Sequence, residues 1–245
     1  MIRASIILAT TFALAACSGG QRPRFSDQVI ERSISGAPGE AQPSRIVATE
    51  SAFARMAREE GQWTAFRAFA APGAIIHGVN GAIPAEPWLA AQDDPPAAVQ
   101  WGPREIWMSC DAKLAVSTGR FRDPDGIVGN FITVWQRQPE GEYRWVYDSG
   151  TPDDPQPPPR AVPEEGDIVV TAMDSVRGHV ADCHKGEEPR PALPLESASG
   201  VSPDGTLAYR WEHVGEGERK FTAYWLADGN WEVAMDELWP AGGVN

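Results

Sequence analysis

The chain has 245 residues, with 34 Asp and Glu against 21 Lys and Arg, a net charge of −13 and no basic run. So acidic a surface argues against nucleic acid as a partner, because phosphate backbones are held by clustered Lys and Arg. The length suits one large domain or two small ones. No G-x-S-x-G, H-E-x-x-H, Walker or dinucleotide-binding pattern occurs, so nucleophilic, zinc-protease and nucleotide chemistries lack support and no cofactor is expected.

Arg3 precedes an apolar run, Ala4–Ala13, that is too short to span a bilayer and ends in small residues before Cys17. This reads as a secretory signal rather than a transmembrane anchor. Leu14-Ala15-Ala16-Cys17 resembles a bacterial lipobox, which implies removal of residues 1–16 and lipidation of Cys17. The competing reading is an ordinary signal peptide with a stray cysteine. Ser18 after the cysteine looks like an outer-membrane address, with the folded part in the periplasm and membrane contact through the lipid anchor only. Residues 17–44, rich in Gly, Pro, Ser and Gln, then read as a tether. Once Cys17 is lipidated, Cys110 and Cys183 are the remaining thiols in an oxidising compartment, and a disulfide between them is expected.

From Arg45 the pattern changes. Val47, Glu50, Phe53, Ala54 and Ala57 recur at helical spacing behind Ser44 as N-cap, until Gly61 breaks the run. Trp63, Phe66 and Phe69 predict a second short helix, stopped by Pro72-Gly73, and Ala74–His77 a short strand. Residues 84–98 read mostly as loop, with a helical turn around Trp88. Strands are predicted over Arg104–Cys110 and Leu114–Arg122, followed by the turn Asp123-Pro124-Asp125-Gly126. A hairpin follows, Gly129–Gln138 and Tyr143–Tyr147 around Pro139-Glu140-Gly141-Glu142. Its alternation is partial, so both of its faces should be buried.

The order of these features carries a resemblance. E-x-x-F-A-x-x-A at Glu50–Ala57, G-x-x-x-A-F-x-x-F at Gly61–Phe69, a strand bearing His77, Trp101-x-Pro103, S-x-D-x-x-L-A-x-x-x-G at Ser109–Gly119, and Trp145–Gly150 together resemble the nuclear transport factor 2-like superfamily. The SnoaL-like bacterial branch is the most similar part of it. The match covers about residues 45–152. It implies an α+β fold in which a strongly curved, cone-shaped mixed sheet (cystatin-like) wraps around N-terminal helices and leaves a pocket.

Residues 153–166 form a Pro-rich linker. Residues 167–245 read as a β-rich C-terminal domain: a strand over Asp167–Met173, an irregular stretch over Gly178–Leu195, then a meander of Thr206–His213, Lys220–Ala227 and Trp231–Met235. This meander echoes the first domain. Asp111–Val116 lies over Asp204–Tyr209, Asn130–Trp135 over Arg219–Trp225, and Tyr143–Asp148 over Trp231–Asp236. A degenerate internal repeat and the turn chemistry shared by all hairpins both account for it. A sheet lacking its helices cannot bury a face alone, so the C-terminal part should pack on the first domain.

Candidate site residues follow from the expected pocket. His77 can titrate near neutral pH. Asp148 and Tyr147 close the last strand, where a desolvated Asp would be a poised base, although Asp148-Ser149-Gly150 also suits a turn. Trp101, Trp107 and Trp135, with Trp63 and Phe66, would line an apolar pocket, and Arg104 between two of them suits a carboxylate. His179, Cys183 and His184 invite a metal, but the Gly and Pro around them oppose the helix that would present them, and no metal is expected. Three functions fit: a lipoprotein binding a small apolar or amphipathic ligand, a cofactor-independent isomerase or dehydratase-type lyase, or an interaction module with a filled pocket. Binding is favoured over catalysis, because no partner pairs with His77; a homodimer is also compatible.

Overall fold

The computed structural model describes residues 40–158, 175–183, 198–215 and 217–240. The lipobox, most of the tether and linker, the strand expected over Asp167–Met173, and His184 lie outside the described residues.

The first helix, α1 (Pro43–Glu60), begins at Pro43 with Gln42 as N-cap, rather than at the expected Ser44. Proline is favoured there because the first-turn N–H it lacks would have no helical partner. Ile46, Glu50, Phe53, Ala54 and Ala57 are its buried face. Gly61, at φ +121°, turns the chain into α2 (Gln62–Phe69). The Asp94 carboxylate caps α2, accepting from the Trp63 and Thr64 N–H groups at 2.5 and 3.0 Å.

Helix α2 ends before Pro72-Gly73, and β1 (Ala70–Gly78) starts earlier than the sequence suggested. Then come β2 (Gly81–Pro84), α3 (Ala85–Ala90), β3 (Gln100–Met108), β4 (Leu114–Arg122), β5 (Val128–Arg137) and β6 (Tyr143–Pro152). Past the linker, β7 (Arg177–Val180) is a strand where irregular chain was expected. It extends the sheet beside β3 in parallel, an alignment that β7's short sequence does not signal. The order of this seven-stranded mixed sheet is β2-β1-β6-β5-β4-β3-β7. Strands β8 (Ala198–Val201), β9 (Leu207–His213), β10 (Arg219–Ala227) and β11 (Asn230–Trp239) form a second, antiparallel sheet, one strand more than the expected meander.

The described residues make up an α+β unit in three layers. One face of the large sheet carries the helices over a core of Phe53, Leu89, Ile106, Met108, Trp135 and Trp145. The other face sends Val116, Ile132, Val134 and Tyr147 against Leu207, Phe221, Ala223 and Met235 of the small sheet. Burial on both sides explains why β5 is apolar without strict alternation: Phe131 through Trp135 are all buried.

Cys110 and Cys183 stand at disulfide-bonding distance, Cα atoms 5.1 Å apart, just past the ends of β3 and β7. Beside them the two sheets exchange hydrogen bonds reciprocally. Asp111 N–H donates to Asp204 Oδ2 at 2.7 Å, and Asp204 N–H donates to Asp111 Oδ2 at 3.2 Å. Each aspartate also accepts from a serine two residues before it, Ser109 and Ser202, both at 2.6 Å. Among the described residues no helix is long and apolar enough to cross a membrane.

Candidate functional site

A cavity of about 220 Å³ lies between the helices and the large sheet. An apolar cavity of roughly 150 Å³ accommodates benzene, so this one has room for a ring or a branched group with substituents. Phe53 of α1 and Gln62 and Phe66 of α2 line it from the helices; Val99 and Trp101, around the start of β3, and Phe121, Phe131, Thr133 and Asp148, from β4, β5 and β6, line it from the sheet.

The sheet-side wall is shaped by two glycines. In the β4–β5 register Gly119 faces Phe131 and Phe121 faces Gly129. Each phenyl ring settles over the glycine opposite. A Cβ on Gly119 would stand 2.7 Å from Phe131 Cε1, and one on Gly129 would strike the Phe121 ring. Side chains at these positions would also meet backbone, the Gly102 and Thr151 carbonyl oxygens, so the close strand pairing as well as the ring positions depends on glycine here.

Asp148 reaches the cavity because of a register shift. Val134 pairs with Tyr147 but Trp135 pairs with Trp145, leaving Val146 as an extra residue. The bulge puts Trp145 in the helix-side core and Tyr147 in the layer between the sheets. Asp148, next along the strand, therefore faces the helices. Its Oδ2 accepts from Thr133 Oγ1 at 2.8 Å. Burial pushes its pKa up to about 7, against the Thr133 bond, with the nearby Glu50 carboxylate adding to the rise.

Glu50 is buried behind this wall. Oε1 accepts from Ser117 Oγ at 2.7 Å and Trp135 Nε1 at 3.1 Å, and Oε2 accepts from Trp101 Nε1 at 3.0 Å. These are neutral donors arranged for a carboxylate, which is acceptor-only when ionised. Desolvation still raises its pKa, and the three bonds hold the rise back. Gln62 accepts the Val99 N–H through Oε1 at 2.9 Å, which assigns its amide orientation. Its Nε2 has no partner among the described residues.

The expected site residues divide. Trp101 and Asp148 line the cavity; His77, Tyr147, Trp107, Trp135 and Arg104 do not. His77, expected to face the pocket, points the other way, because Ile76 beside it takes the helix-side position and strand neighbours alternate. It is 1 % exposed, with Nδ1 3.1 Å from the Tyr147 hydroxyl and Nε2 3.3 Å from His213 Nδ1. Burial, then the charge of Arg219 and His213, pushes its pKa down to about 4. Burial also carries the Tyr147 phenol well above its ordinary value. Arg219 crosses the same layer, its Nη1 donating to the carbonyls of His77 and Gly150 at 3.0 and 2.9 Å. Trp135 is core, spent on Glu50, and Trp107 stacks on His179 at 5.4 Å. Trp63 packs against Trp88, and Arg104 is exposed. Of the His179, Cys183 and His184 motif, Cys183 pairs with Cys110 and His179 bonds Glu105. Among the described residues no cluster of three metal-ligating side chains occurs.

Glu50, Gln62, Phe121 and Phe131 were not anticipated as site residues. For Glu50 a signal exists: a charged residue inside the apolar stripe of α1 is a buried charge, and such a charge requires dedicated partners. No family model matches this chain, and no curated protein matches it.

Proposed function

We propose that this protein is an envelope lipoprotein that binds a small apolar or amphipathic molecule in the cavity between its helices and its large sheet. The observation that carries this is the cavity: about 220 Å³, walled by five aromatic side chains with a carboxyl and an amide at its surface. Apolar concavities with a few convergent polar groups are the ordinary form of a small-molecule site. An open cavity weighs against the interaction module, whose pocket would be filled by its own side chains. The lipobox-like Leu14-Ala15-Ala16-Cys17 supports tethering to the membrane, with the cavity in the periplasm.

The resemblance to the nuclear transport factor 2-like superfamily has two supports, the order of motifs over residues 45–152 and helices seated on one face of a mixed sheet. An internal repeat is supported by the reciprocal Ser109/Asp111 and Ser202/Asp204 loops, which share their hydrogen-bond pattern as well as their spacing. On that reading the small sheet is a second copy without helices, covering the face of the first.

A second reading, a cofactor-independent isomerase or lyase, is favoured by one observation. A carboxyl whose pKa stands near 7 in an apolar pocket can exchange a proton with a bound molecule near neutral pH. Against it, Asp148 is the single titratable side chain on the cavity wall; His77 and Tyr147 lie across the sheet.

Native mass spectrometry of protein purified from envelope extract tests the binding reading. Wild type should carry a small molecule that Phe131→Trp, which fills the cavity, does not. Equal loading of both would contradict it. Turnover of cyclic ketones by wild type, abolished in Asp148→Asn, would replace binding by catalysis.

A further inference from the structure

We propose that the ligand is a small organic cation: a substituted ammonium with an oxygen acceptor at its other end. This rests on the binding reading above and specifies its chemistry.

Three features of the cavity favour a cation over an anion. Among the described residues its lining contains no Lys, Arg or His. Two carboxyl groups stand at it, Asp148 on the wall and Glu50 behind Trp101. Burial favours their neutral forms, and a bound cation would favour the ionised ones. Every hydrogen bond described for either comes from a neutral donor: Thr133, Ser117 or an indole. Five of the lining side chains are aromatic, and the face of an aromatic ring carries the negative lobe of its quadrupole. Phe121 and Phe131, each set opposite a glycine in the β4–β5 register, are part of this aromatic lining. A cation enclosed by aromatic faces and a carboxylate is stabilised by both. Arg219 does not line the cavity; its Nη1 is spent on the His77 and Gly150 carbonyls and on Ser149 Oγ, behind the β6 edge of the wall.

The polar inventory selects the kind of cation. A primary ammonium brings three N–H donors that need three acceptors. Thr133 already occupies one Asp148 oxygen, Val99 occupies Gln62 Oε1, and Ser149 Oγ donates to the His77 carbonyl at 2.7 Å. Alkyl groups in place of the N–H bonds remove that demand and fill the apolar volume. An anion would stand beside the Asp148 carboxyl with no Lys, Arg or His among the described lining residues to receive it, and is disfavoured. Gln62 Nε2, on the helix-side wall, supplies a donor for a hydroxyl or carbonyl on the ligand.

Calorimetric titration of the mature, oxidised protein with choline and with its neutral isostere 3,3-dimethylbutan-1-ol tests this; benzene serves as a probe of the cavity alone. Choline should bind at least tenfold more tightly than the alcohol. Asp148→Asn, with its fold checked by circular dichroism, should weaken choline at least tenfold and leave the alcohol within twofold. Gln62→Ala should weaken choline and leave tetramethylammonium unchanged. If the alcohol binds as well as choline, or if benzene binds and choline does not, the cation proposal is overturned while the binding reading stands. If none of the three binds, both fail.

Discussion

Replacing Asp148 by Asn keeps the side chain's shape and an acceptor for Thr133 Oγ1, and removes its titration. In the folded protein the carboxyl ionises near 7, and in the unfolded chain at its ordinary 3.8. Between those values the folded state holds a proton that the unfolded chain has released. Its stabilising contribution is therefore complete below 3.8, declines as pH rises and is gone above 7. At about 1.4 kcal/mol per pKa unit the whole change is on the order of 4 kcal/mol. His77 runs the other way. Its folded pKa is near 4 against 6.5 unfolded, so the stability it contributes is present above 6.5 and lost as pH falls toward 4, on the order of 3 kcal/mol. The two slopes nearly cancel in wild type between pH 4 and 6.5. In Asp148→Asn the His77 slope stands alone. The variant should be more stable than wild type at pH 8, by roughly 10 °C in Tm for a protein of this size, and close to wild type at pH 4. Urea denaturation followed by tryptophan emission at pH 4, 6 and 8 measures this. A difference between variant and wild type that does not change from pH 4 to pH 8 would refute the reasoning, since any fixed cost of the buried amide cancels in that comparison.

Other outcomes follow from the same contacts. His77→Gln removes the acid-side loss, so its stability should rise as pH is lowered from 7 to 4, measured by the same denaturation series. Reducing the Cys110–Cys183 pair, or replacing both by Ala, opens a 73-residue separation and should cost about 4 kcal/mol, visible as a lower urea midpoint. Asp111→Ala and Asp204→Ala each remove one half of a reciprocal exchange. A double-mutant cycle should give a coupling of about 0.5–3 kcal/mol, and simple additivity would mean that the two loops do not act together. Gly129→Ala sets a Cβ against the Thr151 carbonyl oxygen as well as the Phe121 ring, so it should strain the β5–β6 pairing and lower the urea midpoint.

Much of the architecture is legible locally. Leu114–Arg122 is bounded by turn chemistry on both sides, and the structure gives the same limits. The partial alternation of β5 foretold burial on two faces, because a strand covered on both sides has no polar side to present. Strand β7 was missed because Arg177–Val180 has neither length nor alternation; its place comes from pairing with β3. The site was less legible. Simple alternation sets Tyr147 with Trp145 on one face, and the bulge at Val146 separates them and turns Asp148 toward the cavity. A bulge depends on the partner strand, so one strand's sequence does not display it. His77 was misplaced for a related reason: which of Ile76 and His77 faces the helices is set by the register of β1 on β6. The glycine–phenylalanine pairs of β4 and β5 were present in the sequence, but they become a cavity wall only once Gly119 is set opposite Phe131.

The most direct test of a ligand-binding cavity is a crystal structure of the protein after exposure to a small-molecule extract of the cells that make it. The account predicts density for a small molecule between Trp101, Phe131 and Asp148, with Gln62 within hydrogen-bonding distance. A cavity closed by the Phe121 and Phe131 rings, or density for a ligand elsewhere while this space holds only water, would contradict it.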